Sequence, residues 1–336
     1  MATRLTIERV TRRFRDPITT AFGELAERHT LTVRLEGADG VVGIGEAAPL
    51  EVYDGVTLDE TEAALVAYAE AIAGLHDGPE ILSTCQETRD LPQALAAIDV
   101  ALWDRAGKRE GRPIAALLAD APLAAVPVNA TIGAVDPKTA RTAAAQAVAD
   151  GFTCVKVKVG VGDDAARLAA VRAGGGPMLS IRIDANGAWT AEEAAKLLPR
   201  LAGAARGLEI VEEPVSGEAQ FRQLAARTRG YRFAADESGL GVADITCLKL
   251  GRAGGISALC AHAAHVTAFG GDVYLASTFD GPIGIAAALH CAAALDLTLP
   301  CGLATLAAFD DVPDQLAPSA GRIAVPTGPG LGLQPA

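Results

Sequence analysis

Six ionisable side chains between residues 156 and 249 stand at or near the ends of short strand-like runs: Lys156 and Lys158, then Asp184, Glu212, Asp236 and Lys249. The runs that carry them are Cys154–Val159, Leu179–Asp184, Leu208–Glu212, Arg232–Asp236 and Thr246–Leu250. Three carboxylates on successive strands, with lysines on either side, make a hard oxygen donor set that suits Mg²⁺, with Mn²⁺ as a substitute. A divalent ion there would stabilise a small-molecule carboxylate that gains a second negative charge when its α-carbon loses a proton. The lysines would supply the base. Lys156-Val157-Lys158 presents two ammonium groups on one face of a strand, since residues i and i+2 point to the same side. That neighbour, with the metal, is expected to lower the pKa of Lys158 toward the range a general base needs.

Each residue also has a plain structural explanation when taken alone. A K-x-K strand can be a solvated face, although Cys154, Val155, Val157 and Val159 around this one argue otherwise. Asp184-Ala185-Asn186 could cap a helix over Thr190–Leu198. Glu212-Glu213-Pro214 and Asp236-Glu237-Ser238 could be polar turns. Their shared placement at successive strand ends is what favours a single site.

The elements that must position these groups follow from pattern. Eight strand-like runs, Val126–Ala130, the five above, Val273–Ala276 and Cys301–Thr305, alternate with helical stretches. Most of them recur at a period of roughly 25–30 residues. This predicts a parallel β/α barrel, whose strand C-termini converge on one face. Between Asp236 and Thr246 there is too little chain for a usual crossover helix, so that helix is expected to be missing or very short. Upstream, Leu5–Thr11, Thr30–Glu36 and Val41–Glu46 read as strands, with Ala38-Asp39-Gly40 as a hairpin signal. Thr57–Leu75 and Leu91–Glu110 read as helices, the second stopped by Gly111-Arg112-Pro113. The expected organisation is an α+β unit over 1–120, a barrel over 121–312, and a segment 313–336 that packs back on the first unit.

Composition narrows the partners. The chain has 336 residues, half of them hydrophobic, and a net charge of −12 with no block of Lys and Arg, which argues against a nucleic-acid surface. Apolar runs such as Ala64–Ala73 and Ile285–Leu297 are too short and too interrupted to span a bilayer. The first ten residues lack an apolar stretch, so no signal peptide and a cytoplasmic location are expected. Six scattered cysteines with no C-x-x-C pair read as buried free thiols in a reducing compartment.

The motifs K-V-K, I-D-A-N-G, V-E-E-P, A-D-E-S and L-K-L-G-R-A-G-G-I together resemble the muconate-lactonizing-enzyme branch of the enolase superfamily. V-G-I-G-E-A-A-P-L at Val42–Leu50 resembles that family's capping-domain segment. The resemblance implies a capping domain on a modified (β/α)7β barrel, with Asp184, Glu212 and Asp236 as Mg²⁺ ligands. It implies Lys158 as the acid/base on one face of the substrate, Lys249 on the opposite face, and Lys156 tuning Lys158 and touching the substrate carboxylate. A homo-oligomer, a dimer or a larger ring, also fits the resemblance.

The branch holds several reactions that share proton abstraction. Dipeptide epimerases carry an Asp-x-Asp on the last barrel strand to bind the substrate ammonium, whereas Cys301-Gly302-Leu303-Ala304-Thr305 has no carboxylate. That segment and Ala276–Gly284 are similar to o-succinylbenzoate synthases. The resemblance therefore favours dehydration of a partly hydrophobic acid, the o-succinylbenzoate synthase step of menaquinone biosynthesis. Asn186, Ser277, Thr278, Asp280 and Thr305 are the expected substrate-binding residues. An N-acylamino-acid racemase or dipeptide epimerase stays open as the alternative, with Asp280 available to a cationic group, and a muconate-type cycloisomerase as the second.

Overall fold

The computed structural model describes residues 3–20, 23–75, 78, 80–310 and 314–333. Three antiparallel strands open the fold: β1 (Arg4–Thr20), β2 (Gly23–Glu36) and β3 (Val42–Ala47). The first two form a hairpin much longer than the apolar alternation suggests, because the register from Arg4↔Glu36 resumes, after an irregularity, at Ile18↔Leu25. Helices Leu58–Ala71 and Pro92–Glu110 pack on this sheet. The first starts at a capping box in which Thr57 and Glu60 satisfy each other's backbone N–H groups. The second ends at Gly111 in the left-handed conformation, φ 65°. β3 lies unusually close to the second helix: a Cβ on Gly43 or Gly45 would come within 1.9 Å of the Ala101 or Ala97 carbonyl oxygen. The V-G-I-G sequence is thus a packing requirement. The helix Glu80–Thr88 has no counterpart in the sequence expectation.

The second half is a curled parallel sheet of seven strands. In spatial order it runs β5 (Ala130–Ile132), β6 (Cys154–Lys158), β7 (Ser180–Asp184), β8 (Ile210–Glu212), β9 (Phe233–Ala235), β10 (Ile245–Leu248) and β11 (Asp272–Leu275). Cys301 and Gly302 close the circle, bridging Val128 on one side and Ala276 on the other. The architecture is that of a modified TIM barrel under a capping domain. No helix occupies the nine residues 236–244 between β9 and β10. The physical reason is strand length: three residues rise only about 10 Å, a drop that nine extended residues cover without a helix.

The first barrel run divides. β4 (Ala125–Pro127) pairs antiparallel with β12 (Arg322–Ala324), and only Ala130–Ile132 joins the parallel sheet. A few residues beyond β12 the chain reaches the end of the Pro92–Glu110 helix, where the Gly330 N–H donates to the Arg112 carbonyl and the Leu331 N–H to Asp104. Among the described residues, no helix is long and apolar enough to cross a membrane.

Candidate active site

The register of the barrel strands brings the predicted ionisable groups together. Lys158 lies opposite Asp184, and Asp184 opposite Glu212, at the C-terminal ends of β6, β7 and β8. Asp236 and Lys249 follow directly on β9 and β10. Asp184 is free to face the barrel mouth because Thr190, not Asp184, caps the helix Ala191–Ala205, in a capping box with Glu193. The three carboxylates are buried, at 1%, 1% and 6% exposure for Asp184, Glu212 and Asp236. Buried carboxylates need partners, and three lysines supply them.

Lys156 Nζ lies 3.0 Å from Asp184 Oδ2 and 3.0 Å from Glu212 Oε1. Lys158 Nζ lies 2.6 Å from the same Asp184 oxygen and 2.6 Å from Asn186 Oδ1. Asp184 therefore sits between the two ammonium groups and offsets the repulsion expected between them. Burial would lower Lys156, but Asp184 and Glu212 outweigh it and hold its pKa well above the ordinary lysine value. Burial would likewise raise Asp184, yet Lys156 and Lys158 hold it well below the usual carboxylate range. Glu212 goes up, first through burial and then through the negative charge of Asp184.

On the opposite side Lys249 donates to Asp236, and burial, which would lower its pKa, is outweighed by that carboxylate. The two catalytic candidates differ in access: the Lys158 side chain is 33% exposed and that of Lys249 9%. The remaining expected residues fall in two groups. Asn186, in the left-handed region at φ 45°, joins Lys158 to Glu237, donating from Nδ2 to Glu237 Oε1 at 3.0 Å. Ser277 and Thr305 share a hydroxyl hydrogen bond of 2.8 Å where β11 meets the closing strand. Thr278 and Asp280 pair with each other at 3.0 Å and turn toward Arg28 of the capping domain, which donates to the Thr278 carbonyl. Asp280 is buried, and Arg28 opposes the upward shift that burial gives it.

Several site residues escape the sequence reading. Tyr53, in the short helix Glu51–Asp54 of the capping domain, donates to Asp236 Oδ1 at 2.7 Å, and its ring lies 4.1 Å from Lys249 Nζ. Arg252 donates to the same phenol oxygen at 3.0 Å. Tyr274 donates to Glu212 Oε2 at 2.6 Å. Glu213 accepts from the Asp236 N–H at 2.7 Å and so anchors that strand end. Cys247, two residues before Lys249 on β10, offers its sulfur within 4.8 Å of carboxylate oxygens of both Glu212 and Asp236. The i, i+2 rule applied to Lys156 and Lys158 would have found Cys247; nothing local marks Tyr53.

The donor set fits a divalent metal. Its oxygens come from adjacent strands of a rigid barrel, they are buried, and outer partners (Tyr53, Tyr274, Glu213) orient them, as second shells do in metal centres. Glu212 and Asp236 have carboxylate oxygens within 4.8 Å of each other and of the Cys247 sulfur; Asp184, the third expected ligand, is not part of that group, its Oδ2 being held between Lys156 and Lys158.

Comparison with known proteins agrees with this architecture. Residues 2–119 match the mandelate racemase / muconate lactonizing enzyme N-terminal domain, and residues 138–336 match the enolase C-terminal domain-like family. A hydrophobic dipeptide epimerase of Enterococcus faecalis is 32% identical over 210 residues, 60% of this chain and 58% of that protein's length. An o-succinylbenzoate synthase of Mycobacterium tuberculosis is 38% identical over 218 residues, 60% of this chain and 64% of its own. The matched region thus spans under two thirds of either relative. A crystal structure of the dipeptide epimerase from Enterococcus faecalis, complexed with Mg and the dipeptide L-Leu-L-Tyr, superposes with a TM-score of 0.88 at 27% identity, covering 99% of both chains.

Proposed function

Because the chain belongs to the mandelate racemase / muconate lactonizing enzyme family of the enolase superfamily, we propose that it removes the proton α to a carboxylate and then eliminates water, as an o-succinylbenzoate synthase does. The observation that carries the choice is the chemistry beside the closing strand. Past Gly302 the chain offers Leu303, Ala304 and Thr305, and the Thr305 hydroxyl is paired with Ser277. Asp280, the carboxylate of the adjoining loop, is already engaged by Thr278 and faces Arg28. A dipeptide ammonium buried here would lack an anionic partner, a costly arrangement. An acid with an apolar ring and a second anionic arm carries no such penalty.

In this reading Asp184, Glu212 and Asp236 hold Mg²⁺, which when bound offsets the second negative charge that develops on the substrate carboxylate. Lys158, the more accessible lysine, enters the step neutral and takes the α-proton on Nζ. It then returns that proton to the departing hydroxide on the same face, so water leaves and the lysine is neutral again. Lys249, clamped by Asp236 and the Tyr53 hydroxyl, remains an ammonium on the other face and stabilises the enolate electrostatically. Lys156 balances Asp184 and Glu212 from beneath.

The test is direct. Purified protein with Mg²⁺ should convert the hydroxycyclohexadiene carboxylate precursor of o-succinylbenzoate, with the ultraviolet change of aromatisation. No turnover of that compound ends the dehydratase reading. A second reading, 1,1-proton transfer on an N-acyl amino acid or a dipeptide, is favoured by the full-length superposition on the epimerase structure. In that case Lys249 delivers a proton from the face opposite Lys158.

A further inference from the structure

Cys247 differs from every other cysteine of the chain in what surrounds it. It lies on β10 between Thr246 and Leu248, 4% exposed, and shares its strand face with Lys249. The charges of Asp236, Glu212, Lys249 and Lys156 all act on the thiol, which in turn influences the Tyr274 phenol. Among the described residues no hydrogen bond engages its sulfur. Its sulfur and carboxylate oxygens of Glu212 and Asp236 all lie within 4.8 Å of one another. One ion placed among three such atoms needs only small side-chain adjustments to reach bonding distance from all of them.

We propose that Cys247 adds a sulfur donor to the metal centre, so that Glu212, Asp236 and Cys247 together seat a thiophilic divalent ion, cadmium or zinc. The inference rests on the metal-centre reading above and goes beyond it. The two kinds of ion use overlapping donor sets. A hard ion such as Mg²⁺ takes oxygen donors and leaves the thiol alone. A soft or borderline ion prefers a thiolate among its ligands, and three protein ligands with an open position is a common arrangement for zinc. Asp184 is the carboxylate given up, and it already has two ammonium partners in Lys156 and Lys158. Binding breaks the Cys247 S–H bond and forms an S–metal bond, and the proton passes to the buffer, with no change of oxidation state. Thiophilic ions therefore compete with the hard ion for Glu212 and Asp236 and block the site.

The measurement is a titration of the whole protein with Cd²⁺ alone, read by the thiolate-to-cadmium charge-transfer band in the ultraviolet. The wild type should gain one such band per chain at one equivalent, with release of one proton. Cys247→Ser and Cys247→Ala should lose the band, and their cadmium affinity should fall by at least about 10–100-fold, the loss typical of removing even an outer partner of a ligand. Circular dichroism and a thermal melt verify that both variants fold. Cys260 and Cys291 contact each other and are the other pair able to bind cadmium, so the C260S/C291S variant should keep the band. A band that survives in both Cys247 variants, one lost only in C260S/C291S, or none in the wild type overturns the proposal. Mn²⁺ binding by the wild type, followed by electron paramagnetic resonance, separates the two levels. Mn²⁺ bound without a cadmium band removes only the role of Cys247, whereas no Mn²⁺ binding removes the metal centre and the proposed function with it.

Discussion

Tyr53→Phe deletes a single oxygen at the seam between the two halves of the molecule. That oxygen donates to Asp236 Oδ1 at 2.7 Å and accepts from Lys249 and from Arg252, the latter at 3.0 Å. Burial pushes the phenol far above its ordinary pKa, so it is a protonated donor at any working pH. A hydrogen bond to a charged group contributes about 1.5–3 kcal/mol, which corresponds to roughly 10–150-fold in an equilibrium constant. Lys249 and Arg252 still contact Asp236 after the change, so the lower end applies. Metal affinity should therefore fall by about 10-fold, within the range for losing an outer partner of a metal ligand. The assay is Mn²⁺ binding to wild type and Y53F, beside kcat/KM at saturating Mg²⁺ and a thermal melt of each. The variant should stay folded, bind Mn²⁺ about 10-fold more weakly, and recover part of its activity as Mg²⁺ is raised. Mn²⁺ affinity within twofold of wild type would refute the role given to this phenol and weaken the assignment of Asp236 as a ligand.

Lys158→Ala should lower turnover by at least 10²–10⁴-fold, the usual contribution of a general base, and unaltered turnover would remove it from the mechanism. Chelation should abolish activity and added Mg²⁺ should restore it; activity indifferent to a chelator contradicts the metal assignment. Glu46 gives a pH dependence: burial, opposed by Arg12, raises its carboxyl to about 7. Because the folded value lies above the unfolded one, this group's contribution is fully present below about pH 4.5 and is lost as pH rises through 7. The loss is on the order of 3 kcal/mol. Urea midpoints at pH 5 and pH 8 should show Glu46→Gln gaining on the wild type at the higher pH, and parallel behaviour of the two proteins would exclude Glu46 as the source.

How much of this could be read from the sequence depends on where each residue sits along the chain. Lys158, Asp184, Glu212, Asp236 and Lys249 each stand at or just past a strand end, and Lys156 shares the strand face of Lys158, so local pattern and barrel geometry suffice to bring them together. The missing helix after Asp236 was equally legible, since chain length alone forbids it. Tyr53 was not, because it meets Asp236 across 183 residues of sequence and nothing in Glu51-Val52-Tyr53-Asp54 announces that contact. The hydrogen bond from Arg28 to the Thr278 carbonyl is hidden for the same reason: it spans 250 residues and depends on how the capping sheet is seated. The β1–β2 hairpin extends through arginine-rich sequence where apolar alternation fades, and its backbone ladder rather than its side chains defines its length.

The central claim, dehydration rather than reprotonation after loss of the α-proton, is tested most directly in heavy water. The protein, loaded with Mg²⁺, is given the hydroxycyclohexadiene carboxylate, a panel of N-acyl amino acids, and dipeptides, and the products are followed by proton magnetic resonance. The account predicts aromatic product from the first compound, with dipeptides recovered unlabelled at the α-carbon. Deuterium at the α-carbon of dipeptides or N-acyl amino acids, with the cyclohexadiene untouched, would contradict it.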